Sequence, residues 1–135
     1  MRVLVIDDEK LMRRMVQRLL SRTHEVVTVE SASEALYLLA SESFDTILCD
    51  VNLAGMNGDE LLSRLSPLDA ERVVFMTGGD LAHDRGFLAG HALLMKPFSF
   101  DTLITALEIG ATQSASARAR RPSLLEMAGS HSSFH

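Results

Sequence analysis

The sequence predicts an α/β protein, a doubly wound parallel sheet of five strands flanked by five helices. Two observations carry this. Short apolar runs alternate with amphipathic stretches along most of the chain. The runs themselves are almost purely apolar rather than alternating, the pattern of strands buried on both faces. With 135 residues, 47% of them hydrophobic, the chain suits one domain with a sizeable core.

The elements follow in order. Strand one is VLVI (residues 3–6). In the next stretch Leu11, Met12, Met15, Val16, Leu19 and Leu20 recur at helical spacing, with Arg13, Arg14 and Arg18 assigned to the opposite, solvent face. Strand two is EVVTV (25–29). Ser31 and Glu34 then form a capping box before a helix with the apolar face Ala32, Ala35, Leu36, Leu39 and Ala40. FDTILC (44–49) is strand three, and a helix follows Gly58. VVFM (73–76) is strand four. Residues 80–90 make a poor fourth helix, with Gly86 inside and a ragged apolar stripe, so a short or mobile segment is expected there. ALLM (92–95) is strand five, and the last helix follows Ser99 with Leu103, Ala106 and Leu107 inward.

Composition excludes several classes. The formal net charge of -5 disfavours direct nucleic-acid binding, because phosphate backbones need a basic face. No apolar stretch approaches the roughly 20 residues needed to cross a bilayer, and no signal peptide is visible, so membrane association and secretion are not expected. The single cysteine, Cys49, lies in an apolar run and reads as a buried thiol in a reducing, cytoplasmic setting.

In doubly wound sheets, ligands sit beyond the carboxyl ends of the strands. Strand one ends in Asp7 and Asp8, strand three in Asp50, strand four in Thr77, and strand five in Lys96 followed by Pro97. Strand two supplies only Glu30 and Ser31, as an edge strand would. Adjacent acids after a strand ordinarily mark a solvated turn, but their companions at the other strand ends change that reading. Clustered carboxylates with room for water favour Mg²⁺. Thr77 and Lys96 complement phosphoryl oxygens, which leaves Asp50 as the candidate nucleophile for an acyl phosphate.

This constellation resembles the receiver domain of two-component response regulators, the CheY-like family. The resemblance covers roughly residues 2–110. It rests on DDE after strand one, CDVNLAGMNGDEL around strand three, MTGGD at strand four and MKPF after strand five. It implies a flavodoxin-like strand order of 2-1-3-4-5. It also implies that Asp50 accepts phosphate from the phosphohistidine of a histidine kinase or phosphotransfer domain in a phosphorelay. Mg²⁺ would be held by Asp7, Asp8, Asp50 and the backbone carbonyl of Asn52, Thr77 and Lys96 would grip the phosphoryl oxygens, and the Lys96-Pro97 bond would be cis. Such a domain is a signalling phosphoacceptor that catalyses its own phosphorylation and dephosphorylation, not an enzyme in the ordinary sense. Its downstream protein target would dock on the face made by the fourth helix, fifth strand and fifth helix.

The chain departs from the family pattern at several positions. Leu93 stands where many receivers have a switching tyrosine or phenylalanine, and Leu53-Ala54 replaces a common Met-Pro. Asn52 and Gly79 occupy the two positions that modulate water access to the phosphoaspartate. Gly78-Gly79 loosens the loop that follows, and phosphorylation is expected to act by ordering residues 78–90 instead of rotating a ring.

Residues 1–111 read as the receiver and 112–135 as a Ser-, Ala- and Arg-rich tail, holding Arg118, Arg120 and Arg121 and no output-domain pattern. The chain is then a single-domain regulator or a receiver cut from a hybrid kinase. The tail reads as a solvated, disordered extension, and docking of Leu124, Leu125 and Met127 is the lesser reading. His24, His83, His91, His131 and His135 lack metal-ligand spacing, and the seven methionines are expected mostly in the core. Two alternatives remain: a pseudo-receiver interaction module that is never phosphorylated, and a haloacid-dehalogenase-type phosphatase. The latter wants an aspartate where Asn52 stands.

Overall fold

The computed structural model describes residues 1–78 and 86–112, apart from the side chain of residue 87. Along the chain run β1 (Arg2–Ile6), α1 (Lys10–Leu20), β2 (Glu25–Val29), α2 (Ala32–Leu39), β3 (Thr46–Asp50), α3 (Gly58–Arg64) and α4 (Pro67–Glu71). They are followed by β4 (Val73–Thr77), a 3-10 turn over Gly86–Leu88, β5 (Leu93–Met95) and α5 (Phe100–Ala111). The strands form one parallel sheet in the order β2-β1-β3-β4-β5, the doubly wound arrangement expected.

Alternate residues of the central strands feed two separate cores. On one face Leu4, Ile6, Ile47, Cys49, Val73 and Phe75 pack with Ala32 and Ala35 of α2 and Leu61 of α3. On the other, Val3, Val5, Leu48, Val74 and Met76 meet Val16 and Leu20 of α1 and Leu103, Ala106 and Leu107 of α5. Both faces being covered explains why β3 and β4 are buried at every position. Each such side chain contributes on the order of 2 kcal/mol. β2 lies at the sheet edge and is mostly half-buried, as its polar C-terminal delivery implied.

The helix starts are legible in their caps. Ser31 accepts the Glu34 amide at 3.2 Å, and the Glu34 carboxylate turns back to the Glu30 amide and the Ser31 hydroxyl, closing the box one residue early. Asn57 caps α3 through the Glu60 amide, and Ser99 caps α5 through the Thr102 amide. α5 lies unusually close to the sheet: buried Thr46 donates to the Leu107 carbonyl at 2.7 Å, and Gly110 rests against Thr46 and Val74.

Three expectations need correction. In α1 the buried stripe is Val16 and Leu20, flanked by Met12 and Leu19, while Leu11 is 78% exposed and Met15 also faces out. Six apolar residues in one short helix span a wider arc than a single sheet contact can cover. Arg13, assigned to solvent, instead lies along the flank with its side chain 16% exposed. Of the six described methionines only half are core-facing: Met76 is fully buried and half-buried Met12 and Met56 pack against the two cores, while Met1, Met15 and Met95 are exposed. The third correction is α4, which had not been expected. It is a single turn announced by Ser66, whose hydroxyl accepts the Asp69 amide, and by Pro67 in the first turn. It carries no apolar period to betray it.

The weak helix expected over residues 80–90 falls largely outside the described residues; its described end is the 3-10 turn, with Leu88 buried. Gly79, His83, the tail arginines with Leu124, Leu125 and Met127, and His131 and His135 also lie outside them. Among the described residues, no helix is long and apolar enough to cross a membrane.

Candidate functional site

The sheet register assembles the site. Ile6 pairs with Cys49, so Asp7 and Asp50, one residue further on each strand, stand side by side. Asp50 pairs with Met76, and Thr77 pairs with Met95, so Thr77 and Lys96 continue the same rim toward β5. Four residues far apart in the chain are thus brought to one edge of the sheet. Asp7 (0% exposed), Asp50 (7%) and Thr77 (1%) are buried, and Asp8 faces solvent.

One carboxylate oxygen from each of Asp7, Asp8 and Asp50 lies within 4.8 Å of the others. Lys96 answers this charge. Its Nζ donates to Asp50 Oδ2 at 2.7 Å, Asp7 Oδ2 at 3.0 Å and Glu9 Oε1 at 3.4 Å. The lysine backbone is fixed as well, its amide bonding the Thr77 carbonyl at 2.8 Å ahead of a cis Lys96-Pro97 peptide. Gly78 lies alongside the lysine stem, where a Cβ would make ordinary contact with Lys96 Cβ and Cδ at 3.4 Å. The second oxygens of the acids accept backbone amides: Asp7 Oδ1 from Glu9 and Asp50 Oδ1 from Asn52, both at 2.8 Å. Asp8 Oδ2 accepts from Ala54 at 3.3 Å. That last donor exists only because alanine, not proline, occupies position 54.

Electrostatically the site is an acid cluster short of cations. Burial raises the pKa of Asp7, and nearby Asp50 adds to the rise, although the Glu9 amide and Lys96 pull the other way. For Lys96, burial alone would lower its pKa, but hydrogen bonds to Asp50 and Asp7 outweigh this and the net shift is upward. Lys96 therefore stays an ammonium, while Asp7 carries its charge reluctantly. Burial, with Asp50 and Asp7 nearby, pushes the Cys49 thiol up, so it behaves as the inert small hydrophobe expected.

A stability consequence follows for Asp7. A carboxyl whose folded pKa is raised stabilises the fold at pH values below its unfolded pKa, and that contribution is lost as pH rises through the folded value. At neutral pH the ionised Asp7 therefore costs stability in the absence of metal. Asp7→Asn is expected to stabilise the metal-free protein by about 1 kcal/mol, a few degrees in Tm, and to abolish most of the stabilisation given by MgCl₂. Thermal melts with and without MgCl₂ check both effects, and an unchanged or lower metal-free Tm would contradict the charge argument.

The site-facing departures are now placed. Leu93 is buried and packs in the cluster that holds Phe75 and Leu88, with no ring to swing. Leu53 is also buried. It anchors the loop after β3, where Gly55 takes φ +82° and the Gly58 amide bonds the Val51 carbonyl, so the loop is held without the proline. Asn52 is exposed. His91 stacks edge-on against Phe75 and reaches the Val73 carbonyl, which gives it a packing role.

Sequence reasoning missed two side chains at the rim. Glu9 reaches Lys96, and Arg13 Nη1 donates to the Asp7 carbonyl at 2.8 Å. Arg13 sits in the first turns of α1, and helical side chains lean toward the helix N-terminus, here toward the acids. That lean was the available signal.

Comparison with known proteins agrees with this geometry. Residues 3–108 match the model of the response regulator receiver domain, and the chain belongs to that family. It is a receiver domain of two-component signalling, a class that interacts with histidine kinases and typically acts as a phosphoacceptor. Its Asp7, Asp8 and Asp50 triad is consistent with a receiver Mg²⁺ site.

The chain is 35% identical over 108 residues to the response regulator protein FleR of Pseudomonas aeruginosa, a match covering 76% of this chain and 23% of that protein. It is 32% identical over 108 residues to the transcriptional regulatory protein HprR of Escherichia coli, covering 77% and 48%. It thus spans less than half the length of either relative. Among solved structures, a CheY-like receiver domain protein from Methanospirillum hungatei matches with a TM-score of 0.72 and 25% identity, over 88% of this chain and 96% of that one.

Proposed function

We propose that this domain receives a phosphoryl group on Asp50 from a phosphohistidine donor, in a Mg²⁺-dependent reaction, and thereby switches its binding to a protein partner. The observation that carries the reading is the position of Asp50: nearly buried, at the end of a central strand, with a lysine on one oxygen and two further acids beside it. Asp7, Asp8, Asp50 and the Asn52 carbonyl are the ligands assigned to Mg²⁺. The donor set fits, being hard oxygens with one acid open to water. Bound there, the ion would neutralise charge on the transferring group and draw its oxygens toward the carboxylates.

The chain's own residues do the rest. An Asp50 carboxylate oxygen forms the new P–O bond as the donor's P–N bond breaks, and the bonding pair leaves with the imidazole nitrogen, which takes up a proton. Lys96, held as an ammonium, follows the charge from the Asp50 carboxylate to the phosphoryl oxygens. The Thr77 hydroxyl, at the next strand end, is assigned a second hold on those oxygens. Burial of Asp7 and Thr77 limits water around the acyl phosphate. The receiver unit is assigned to residues 1–111, ending with α5, and the tail to a separate extension. The downstream surface is assigned to β5, α5 and the segment before them.

Intact-protein mass spectrometry after incubation with acetyl phosphate tests this. A gain of one phosphoryl group that requires Mg²⁺ and disappears in Asp50→Asn is the expected result. If acetyl phosphate and a panel of phosphohistidine donors all leave the wild type unmodified, the reading fails and the domain is a pseudo-receiver.

A further inference from the structure

We propose that Arg13 is a positioning residue for the metal-binding acids. It fixes the peptide that joins Asp7 to Asp8 and thereby sets where the two carboxylates stand relative to each other. This rests on the Mg²⁺ site proposed above.

Asp7 is held at every polar atom. Its amide bonds the Val29 carbonyl at 3.2 Å, and its two carboxylate oxygens accept from Glu9 and Lys96. Its carbonyl accepts from Arg13 Nη1 at 2.8 Å. That carbonyl belongs to the planar Asp7–Asp8 peptide, so the bond fixes the whole plane. Rotating the plane would move the start of Asp8, whose carboxylate has one weaker anchor, the Ala54 amide at 3.3 Å. The Arg13 side chain is 16% exposed, and its Nη2 lies 3.7 Å from exposed Glu30, the residue after β2. A fork with two partners, one backbone and one side chain, is a geometry that arginine satisfies and lysine does only in part.

Two effects of Arg13 on Mg²⁺ oppose one another, which makes the role testable. As a nearby cation it repels the metal, so its removal on charge grounds alone should tighten binding. As a clamp it preassembles the acids, so its removal should weaken binding. Preassembly wins here, because Arg13 donates to a carbonyl, not to a metal-ligating oxygen, and because the cation bonded directly to the carboxylates is Lys96, not Arg13.

The experiment is calorimetric titration of MgCl₂ into the wild type, Arg13→Gln and Arg13→Lys, with the metal-free Tm of each measured alongside. Glu30→Gln serves as a control for the exposed half of the fork. The expected result is Mg²⁺ binding weakened about tenfold in Arg13→Gln, partly restored in Arg13→Lys and changed less than twofold in Glu30→Gln, the scale seen when a residue that orients a metal ligand is lost. Unchanged or tighter binding in Arg13→Gln would overturn the positioning role while leaving the Mg²⁺ site intact. So would a loss of affinity fully explained by unfolding of the metal-free variant, which Arg13→Lys and the melts reveal. Absence of Mg²⁺ binding in the wild type would overturn both this inference and the reading beneath it.

Discussion

Lys96→Ala is expected to lower the Tm of the metal-free protein by roughly 10 °C, a loss of about 3 kcal/mol, and to reduce Mg²⁺-dependent phosphoryl uptake by orders of magnitude. The stability loss comes from what stays behind. Two carboxylates that are a tenth exposed or less, Asp7 and Asp50, lose the ammonium bonded to each at 3.0 and 2.7 Å. The exposed Glu9 contact at 3.4 Å adds little, because solvent screens it. A lysine whose folded pKa is raised contributes stability that is fully present below its unfolded pKa and is lost as pH rises through the folded one. The wild-type advantage over Lys96→Ala should therefore be present at neutral pH and be lost in strong alkali. MgCl₂ should stabilise the variant more than the wild type, since the metal meets acids with no internal competitor. Melts across pH and metal concentration read both effects. Equal Mg²⁺ stabilisation of the two proteins would show that Lys96 does not compete for the acids.

Gly110→Val is expected to cost about 3 kcal/mol, and Gly110→Ala roughly 1–2, although alanine is the better helix former by about 1 kcal/mol at an exposed site. The sign reverses because α5 lies so close to the sheet. A Cβ at position 110 would come within 2.9 Å of the methyl carbons Thr46 Cγ2 and Val74 Cγ2, and within 3.1 Å of the Arg72 carbonyl oxygen. None of the three can retreat. Thr46 is tied to Leu107 by its hydroxyl, Val74 is fully buried in a central strand, and the third atom is backbone. Urea titration gives the ordering directly, and an alanine variant more stable than wild type would mean that α5 can lift away cheaply.

The sheet and the rim were legible in the sequence because both are consequences of strand ends. Short, mostly apolar runs alternating with amphipathic stretches read as strands of one parallel sheet, and what immediately followed each run then gathers at one edge. Asp7, Asp50, Thr77 and Lys96 were therefore found without any long-range information. What escaped reading depended on how wide a contact is, or on which way a side chain leans. The six apolar residues of α1 gave a helix but not its buried arc, so Leu11 and Met15 were placed inside and Arg13 outside. Flexible methionines are hydrophobic in composition yet, as Met95 and Met15 show, fill edges as readily as cores. α4 escaped because five residues carry no period, only Ser66 and Pro67. The Ala54 amide on Asp8 needed a loop conformation that nothing in the local sequence fixed.

The register that gathers the rim also determines how the domain can transmit a signal. Asp50 and Thr77 are the last residues of fully buried strands, so their backbone amides should exchange with solvent only through openings close to global unfolding. Such a rim is rigid and has little freedom to change shape. A change in its chemical state therefore cannot be taken up by reshaping the strand ends themselves.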